Sequence, residues 1–339
     1  MHQIYALNEE GKRKLNFLYH QSGIQTRYSI IADYSRPARE WKFYPPTENL
    51  EPFPSLEQRM QWYNKYAAPL SVDAIRPCLD GKMDPQKITH LITASCTGMS
   101  APGLDLQIVD LMDLPKTIFR TSINFMGCYA AIHALKLADS ICRSAPGSIV
   151  LIVCTELCTL HFQREPTTDN ITSGLLFGDG SAAALVVSDE DPANGVRLDG
   201  FYSEVVTKGR KDMAWELSSS GFRMTLSNYV PELIEADFGA LVDRALQQQG
   251  RQRDSVSHWC VHPGGRKILE AVHKSMHFTN GHLDTGYEVL KEYGNMSSPT
   301  ILFVLQRIME RPGHGRSDTI FGAAFGPGLT IETFMATTT

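Results

Sequence analysis

The chain has 339 residues, 42% of them hydrophobic and 20% charged, with a formal net charge of −5 and a pI near 6.1. That balance suits one large or two ordinary soluble domains with a sizeable core. It argues against a basic nucleic-acid or membrane-surface binder, so any anionic ligand has to be met by a local basic patch. No apolar run reaches transmembrane length, and MHQIYALNEEGKRKL at the start lacks the apolar core and small-residue site of a secretory signal. The chain reads as cytoplasmic. Its seven cysteines, scattered through apolar segments, suit reduced thiols. CTELC (Cys154, Cys158) and HFTNGH (His277, His282) have metal-like gaps but no second pair, so no metal site is expected.

Taken in chain order, HLITASCTG (90–98) reads as an apolar strand ending in glycine. MGCYAAIHALKLADSI (126–141) reads as a glycine-led helix with a thin polar stripe of Lys136, Asp139 and, just beyond it, Arg143. A helix apolar on most faces is buried. The strands SIVLIVC (148–154) and GSAAALVVS (180–188) follow, then the polar stretch SDEDPANGV (188–196). Beyond it the same kinds of segment return. HWCVHPGG (258–265) answers the first strand, and YGNMSSPTILFVLQRIM (293–309) answers the helix. TIFGAAFGPGLTIETF (319–334) reads as a hairpin about Gly326-Pro327-Gly328 and answers the strand pair. Cys128 lies as far beyond His90 as Asn295 lies beyond His258, to within one position. The order and spacing point to duplication, with halves 1–190 and 191–339. The predicted fold is a layered α/β sandwich with the two buried helices at its centre.

If the halves face each other, three reactive side chains converge. Cys128 opens one buried helix, where the backbone N–H groups favour thiolate. Asn295 lies just before the other, where Ser298 and Pro299 read as cap and first turn. His262 ends the second half's first strand, before Gly264-Gly265. A thiolate can carry an acyl group, an imidazole can stabilise the thiolate, and imidazole and amide donors can hold the negative charge on a thioester oxygen. The same residue types in the order Cys, His, Asn serve papain-like hydrolases, which are usually secreted with disulfides and carry their cysteine near the mature N-terminus.

MGCYAAIHAL, LLFGDGSAAAL, VHPGG, YGNMSSPTILF, FGPGLTIE and HLITASCTGMSAPGLDLQ resemble the type III polyketide synthases, the chalcone synthase-like branch of the thiolase superfamily. The resemblance runs from about Lys14 to Phe334. It implies the thiolase-like αβαβα sandwich of two pseudo-duplicated halves, and a homodimer. It also implies an enzyme that loads an acyl-CoA starter on Cys128, decarboxylates malonyl-CoA and joins the two by repeated Claisen condensation before cyclisation. CoA thioesters are then substrates, and neither a cofactor nor a metal is needed. By the same resemblance, His262 and Asn295 hold the malonyl thioester oxygen, and Phe177 is the gate between CoA tunnel and cavity. The Gly-Pro-Gly loop lets the backbone approach the cysteine. Lys14 on the N-terminal helix matches a CoA-binding position. Gly265, Arg266 and Lys267, at a probable helix start, form a natural anion site.

The pattern departs from the plant enzymes at several places. Met224 stands where they carry a second gate phenylalanine, and Trp215 where they have a cavity glycine. Cys96 replaces a pocket threonine beside Thr97, and Cys158 and His161 replace two more. DMAWELSSSGFRM (212–224) resembles the bacterial branch that makes alkylpyrones and alkylresorcinols from fatty-acyl starters. The expectation is a fatty-acyl starter and a pyrone or resorcinol-type product. The family normally carries about two dozen further residues at the start, including an early strand, that this sequence does not show. An initiating β-ketoacyl synthase and a thioester hydrolase are the competing readings. HPGG and GNMSSP speak against the first.

Overall fold

The computed structural model describes residues 5, 8–47, 49–188, 195–227, 229–279, 281–311 and 317–339. Most of the expected junction at 188–196, and Asn280 of HFTNGH, lie outside these. Helix α1 (Glu9–Ser22) begins at Asn8, whose side chain accepts the Gly11 N–H at 2.8 Å, and stops at Gly23 with φ 74°. The long α2 (Leu56–Leu79) is capped by Ser55. There follow β1 (His90–Ser95), α3 (Leu104–Met112), β2 (Phe119–Asn124), α4 (Ala130–Ser144), β3 (Ile149–Leu157), α5 (Thr168–Leu176) and β4 (Asp179–Val187). The later part opens with β5 (Val196–Val205), the hairpin β6 (Met213–Ser218) and β7 (Gly221–Leu226), and α6 (Val230–Gln248). It continues through β8 (His258–Val261), α7 (Arg266–Ser275), α8 (Asp284–Tyr293), α9 (Pro299–Glu310), β9 (Thr319–Gly326) and β10 (Thr330–Thr338).

Two four-stranded sheets run β2-β1-β3-β4 and β5-β10-β9-β8. In the first, β1 is parallel to β3 and β3 antiparallel to β4; in the second, β8 is parallel to β9 and β9 antiparallel to β10. The duplicated unit is therefore three strands with one topology. The halves differ at the edges. β2 extends the first sheet beside β1, and β5 extends the second beside β10. Neither edge strand was expected from the sequence.

The helices α4 and α9 fill the space between the sheets. One apolar cluster joins Ala130, Ala134 and Ala138 of α4 to Ile301 and Val304 of α9, Ile152 of β3, and Ala324 and Phe334 of the second sheet. A second cluster lies under α2 and α3, and a third under α6 and α7. Along β3, Ile152 and Cys154 face the centre while Leu151 and Val153 face α2, so the strand is apolar on both sides. The architecture is the expected αβαβα sandwich. Cys154 is core packing, and all seven cysteines are free thiols.

Candidate active site

Cys128 sits in a 3₁₀ turn, Gly127–Tyr129, that leads into α4. Two residues of the approach have positive φ, Phe125 at 57° and Gly127 at 71°. Glycine is required at 127 twice over. A Cβ there would be strained, and it would stand 2.3 Å from Pro327 Cδ. Gly326 meets the same limit, since a Cβ would fall 2.5 Å from the Tyr129 ring. The Gly-Pro-Gly turn thus packs directly on the cysteine turn.

Asn295 arrives from the other half. Its carboxamide Oδ1 and Nδ2 each lie 3.9 Å from Cys128 Sγ. Oδ1 accepts the Ser297 N–H at 2.7 Å, and Nδ2 donates to Gly264 O at 3.3 Å. The amide is thereby held at both ends and tied to the loop that carries His262. Ser298 precedes Pro299 as expected, yet its hydroxyl does not cap α9. It donates to Glu156 Oε1 at 2.7 Å.

His262 is fully buried, and neither ring nitrogen has a hydrogen-bond partner among the described residues. A buried imidazole with no partner is costly and marks a group kept for another molecule. Burial pushes its pKa down to about 3. Burial also pushes the Cys128 thiol up to about 11, outweighing the hydrogen bonds from Ser297 and Asn295 that pull it down. Burial thus opposes the thiolate that the helix start favours. Desolvation here exceeds the field of the backbone N–H groups and disfavours the charged form of both side chains.

Beside Asn295, Phe177 ends α5 in extended conformation and makes an isolated parallel bridge with it. Asn295 N–H donates to Leu176 O, and Gly178 N–H donates to Asn295 O, both at 3.0 Å. Phe177 also lines a cavity of about 440 Å³ together with Cys158, His161, Trp215, Phe222 and Met224. Its outer wall is the segment after α1, including Ile24, Arg27 and Tyr34. Trp215 and Met224 are cross-strand partners on the hairpin, and Trp215 Nε1 donates to Cys96 O at 2.7 Å. His161 is clamped on both sides. Its Nε2 lies 2.7 Å from Thr97 O and its Nδ1 accepts the Phe222 N–H at 3.0 Å, while the two rings stack at 4.3 Å. Burial lowers its pKa to about 3, and the two hydrogen bonds place the ring proton on Nε2.

Cys96 and Thr97 do not line this cavity. Cys96 Sγ accepts the Gly127 N–H at 3.0 Å, and Thr97 Oγ1 donates to Glu156 at 2.9 Å. They stand behind the wall and hold it. Glu156 itself, fully buried and also bound by Cys96 N–H at 2.8 Å, is a residue that sequence reasoning missed. An acid inside the apolar run SIVLIVCTEL was the available signal. Of the CoA candidates, Gly265 is the residue before α7 and has no side chain to cap it. Arg266 is engaged by Glu270 at 2.9 Å and lies beside Gly23. Lys267 is exposed, and Lys14 is exposed about 13 Å along the axis of α1 from Gly23. Among the described residues there is no helix long and apolar enough to cross a membrane and no cluster suited to a metal ion.

The chain matches two family models, the N-terminal domain of chalcone and stilbene synthases over residues 5–190 and their C-terminal domain over residues 199–339. It is 29% identical to the probable polyketide synthase 1 of Dictyostelium discoideum over 95% of its own length, and spans 10% of that protein. It is 28% identical to the α-pyrone synthesis polyketide synthase-like protein Pks18 of Mycobacterium tuberculosis, over 95% of this chain and 81% of that one. The crystal structure of PKS-I from the brown alga Ectocarpus siliculosus superposes with a TM-score of 0.90 at 28% identity, covering 98% of this chain and 90% of the other. With both family models matched in order across an αβαβα sandwich whose halves meet at Cys128 and Asn295, the chain belongs to the chalcone and stilbene synthase family, the type III polyketide synthases, which are decarboxylating condensing acyltransferases.

Proposed function

We propose that this enzyme loads an acyl-CoA starter, a fatty-acyl one, on Cys128. It then extends the starter with malonyl-CoA and closes the chain to a pyrone or resorcinol-type product. The observation that carries the reading is the meeting of Cys128 and Asn295 at 3.9 Å, with the Asn295 amide tied to the loop of a buried imidazole that has no partner. In the loading step the thiol proton passes first to His262, and the thiolate so formed then attacks the acyl carbon. The resulting thiolate–imidazolium charges offset each other's desolvation. The CoA thiolate leaves and takes that proton. Malonyl-CoA then loses CO₂, and the electron pair left on carbon forms an enolate whose oxygen is held by Asn295 Nδ2 and His262. The enolate carbon attacks the acyl carbon on Cys128, expelling its sulfur.

The long-acyl reading is supported by the apolar wall that Trp215, Phe222 and Met224 give the cavity, and the pyrone product by the likeness to the α-pyrone synthesis protein Pks18. Phe177 is the gate; Cys158 and His161 shape the starter pocket, with Cys96 and Thr97 behind it. Lys14, Gly265, Arg266 and Lys267 meet the CoA phosphates. The two halves divide at 190/191, the enzyme is cytoplasmic, and it works as a homodimer. Support for a dimer comes from the edge strand β2, where Phe119 is 69% exposed. The test is mass spectrometry of products from a panel of acyl-CoAs with malonyl-CoA, for the wild type and Cys128→Ala. Fatty-acyl pyrones or resorcinols from the wild type and none from a folded variant are expected. Products from Cys128→Ala, or free acid alone from the wild type, would overturn the reading.

A further inference from the structure

Arg27 is half-buried in the cavity wall, and its Nη1 alone donates two hydrogen bonds, to Gly174 O at 2.6 Å and Phe177 O at 2.9 Å. These carbonyls have a particular need. The last helical bond of α5 is Phe177 N–H to Ser173 O. The next N–H, of Gly178, would have closed on Gly174 O, but it turns away to Asn295 O. Gly174 O is left over by that exchange, and a cation at a helix C-terminus is the favourable partner for it. Arg27 also packs under the other chain of the crossing, since a Cβ on Gly294 would fall 2.9 Å from Arg27 Cγ. Its own segment is tied to both, with Asp179 N–H on Tyr28 O at 2.8 Å and Thr26 N–H on Lys291 O at 3.1 Å.

We infer that Arg27 is a positioning residue that fixes Phe177 and Asn295 relative to each other, and so couples decarboxylation of the extender to its condensation. The inference rests on the proposed polyketide synthase reading. Decarboxylation needs only the oxyanion donors in place. Condensation needs the enolate aligned on the acyl carbon as well, and a displacement of about 1 Å costs such a step on the order of 10²-fold. Loosening the crossing therefore harms condensation more than decarboxylation.

The experiment follows CO₂ released from labelled malonyl-CoA against malonyl units built into product, beside thermal unfolding, for wild type, Arg27→Met, Arg27→Gln and Arg27→Lys. In Arg27→Met the ratio of CO₂ to incorporated units is expected to rise at least threefold. Arg27→Lys should return most of the way to the wild-type ratio, because one nitrogen makes both bonds. A structural defect alone lowers both rates together and leaves the ratio where it was. An unchanged ratio in Arg27→Met, or no rescue by a folded Arg27→Lys, overturns the inference. If Arg27→Met does not fold, Arg27→Gln carries the test with the same sign expected. Failure of the underlying reading is seen separately, as a wild type that forms no malonyl-derived product.

Discussion

At the scale of single residues, the site is governed by what burial does to ionisable groups. A cysteine at the start of a buried helix reads as an activated nucleophile. Here desolvation opposes that, pushing the thiol pKa up and the imidazole pKa down. Asn295 is the fixed element, because its amide is bound on both edges while still facing the sulfur. Asn295→Ala is expected to load starter on Cys128 while releasing CO₂ from labelled malonyl-CoA about 10²–10³ times more slowly, the usual cost of losing one oxyanion donor. Quenched-flow measurement of acyl-enzyme beside CO₂ evolution checks this, and wild-type CO₂ release would remove Asn295 from the step. Cys128, His262 and Asn295 could be singled out as candidates from the sequence because each sits at a glycine-marked end of an apolar segment. Glu156 and Arg27 could not, since the partners that give them their roles lie far away along the chain, Ser298 142 positions from Glu156 and Phe177 150 positions from Arg27.

At the scale of elements, the starts of α4 and α9 are built alike. Each is reached through a non-glycine residue with positive φ, Phe125 before Cys128 and Ser297 after Asn295. Such backbone is held only where packing over-determines it, and here the Pro327 turn and the Asn295 amide do so. The hairpin β6–β7 shapes the cavity. Trp215 sets its wall, pinned by the bond to Cys96 O and by edge contacts to His161 and Phe222. Trp215→Gly is expected to open that wall, lengthening products or broadening starter choice. It should cost about 2–3 kcal/mol of stability, less than a fully buried tryptophan because Trp215 is only partly buried. Product profiling on fatty-acyl and aromatic starters beside thermal unfolding decides it. Lost stability with unchanged products would make Trp215 packing alone. The hairpin was quoted in the sequence only as a likeness, because six-residue strands with mixed burial give no clear period.

At the scale of the whole molecule, Glu156 joins the halves. Its carboxylate takes Cys96 N–H and Thr97 from the end of β1 and Ser298 from the start of α9. Burial raises its pKa to about 7, and Asp179 shifts the same way to about 6. The folded state then binds more protons than the unfolded chain between the two pKa values, so stability is greatest below the unfolded value and falls as pH rises toward 7. Glutamine reproduces the bonds, its oxygen accepting from Cys96 and Thr97 and its nitrogen donating to Ser298. Glu156→Gln should therefore match the wild type near pH 5 and exceed it at pH 8 by up to about 3 kcal/mol. Denaturant unfolding at both pH values tests this, and a variant less stable than wild type at pH 8 would show the charge to be favourable.

The sequence by itself determined the sandwich and its repeat, because apolar runs on both faces of strands and helices have no other way to leave water. It also pointed to Cys128 and Asn295 as segment ends that meet, and the structure brings their side chains to 3.9 Å. Only the tertiary structure decided how far burial disfavours the charged forms of Cys128 and His262, the partners of the Asn295 amide, and the side chains that stand behind the cavity wall rather than in it. Those depend on desolvation and on hydrogen bonds across the α5–Asn295 crossing and the Glu156 junction, where groups distant in the chain meet and local pattern carries no information.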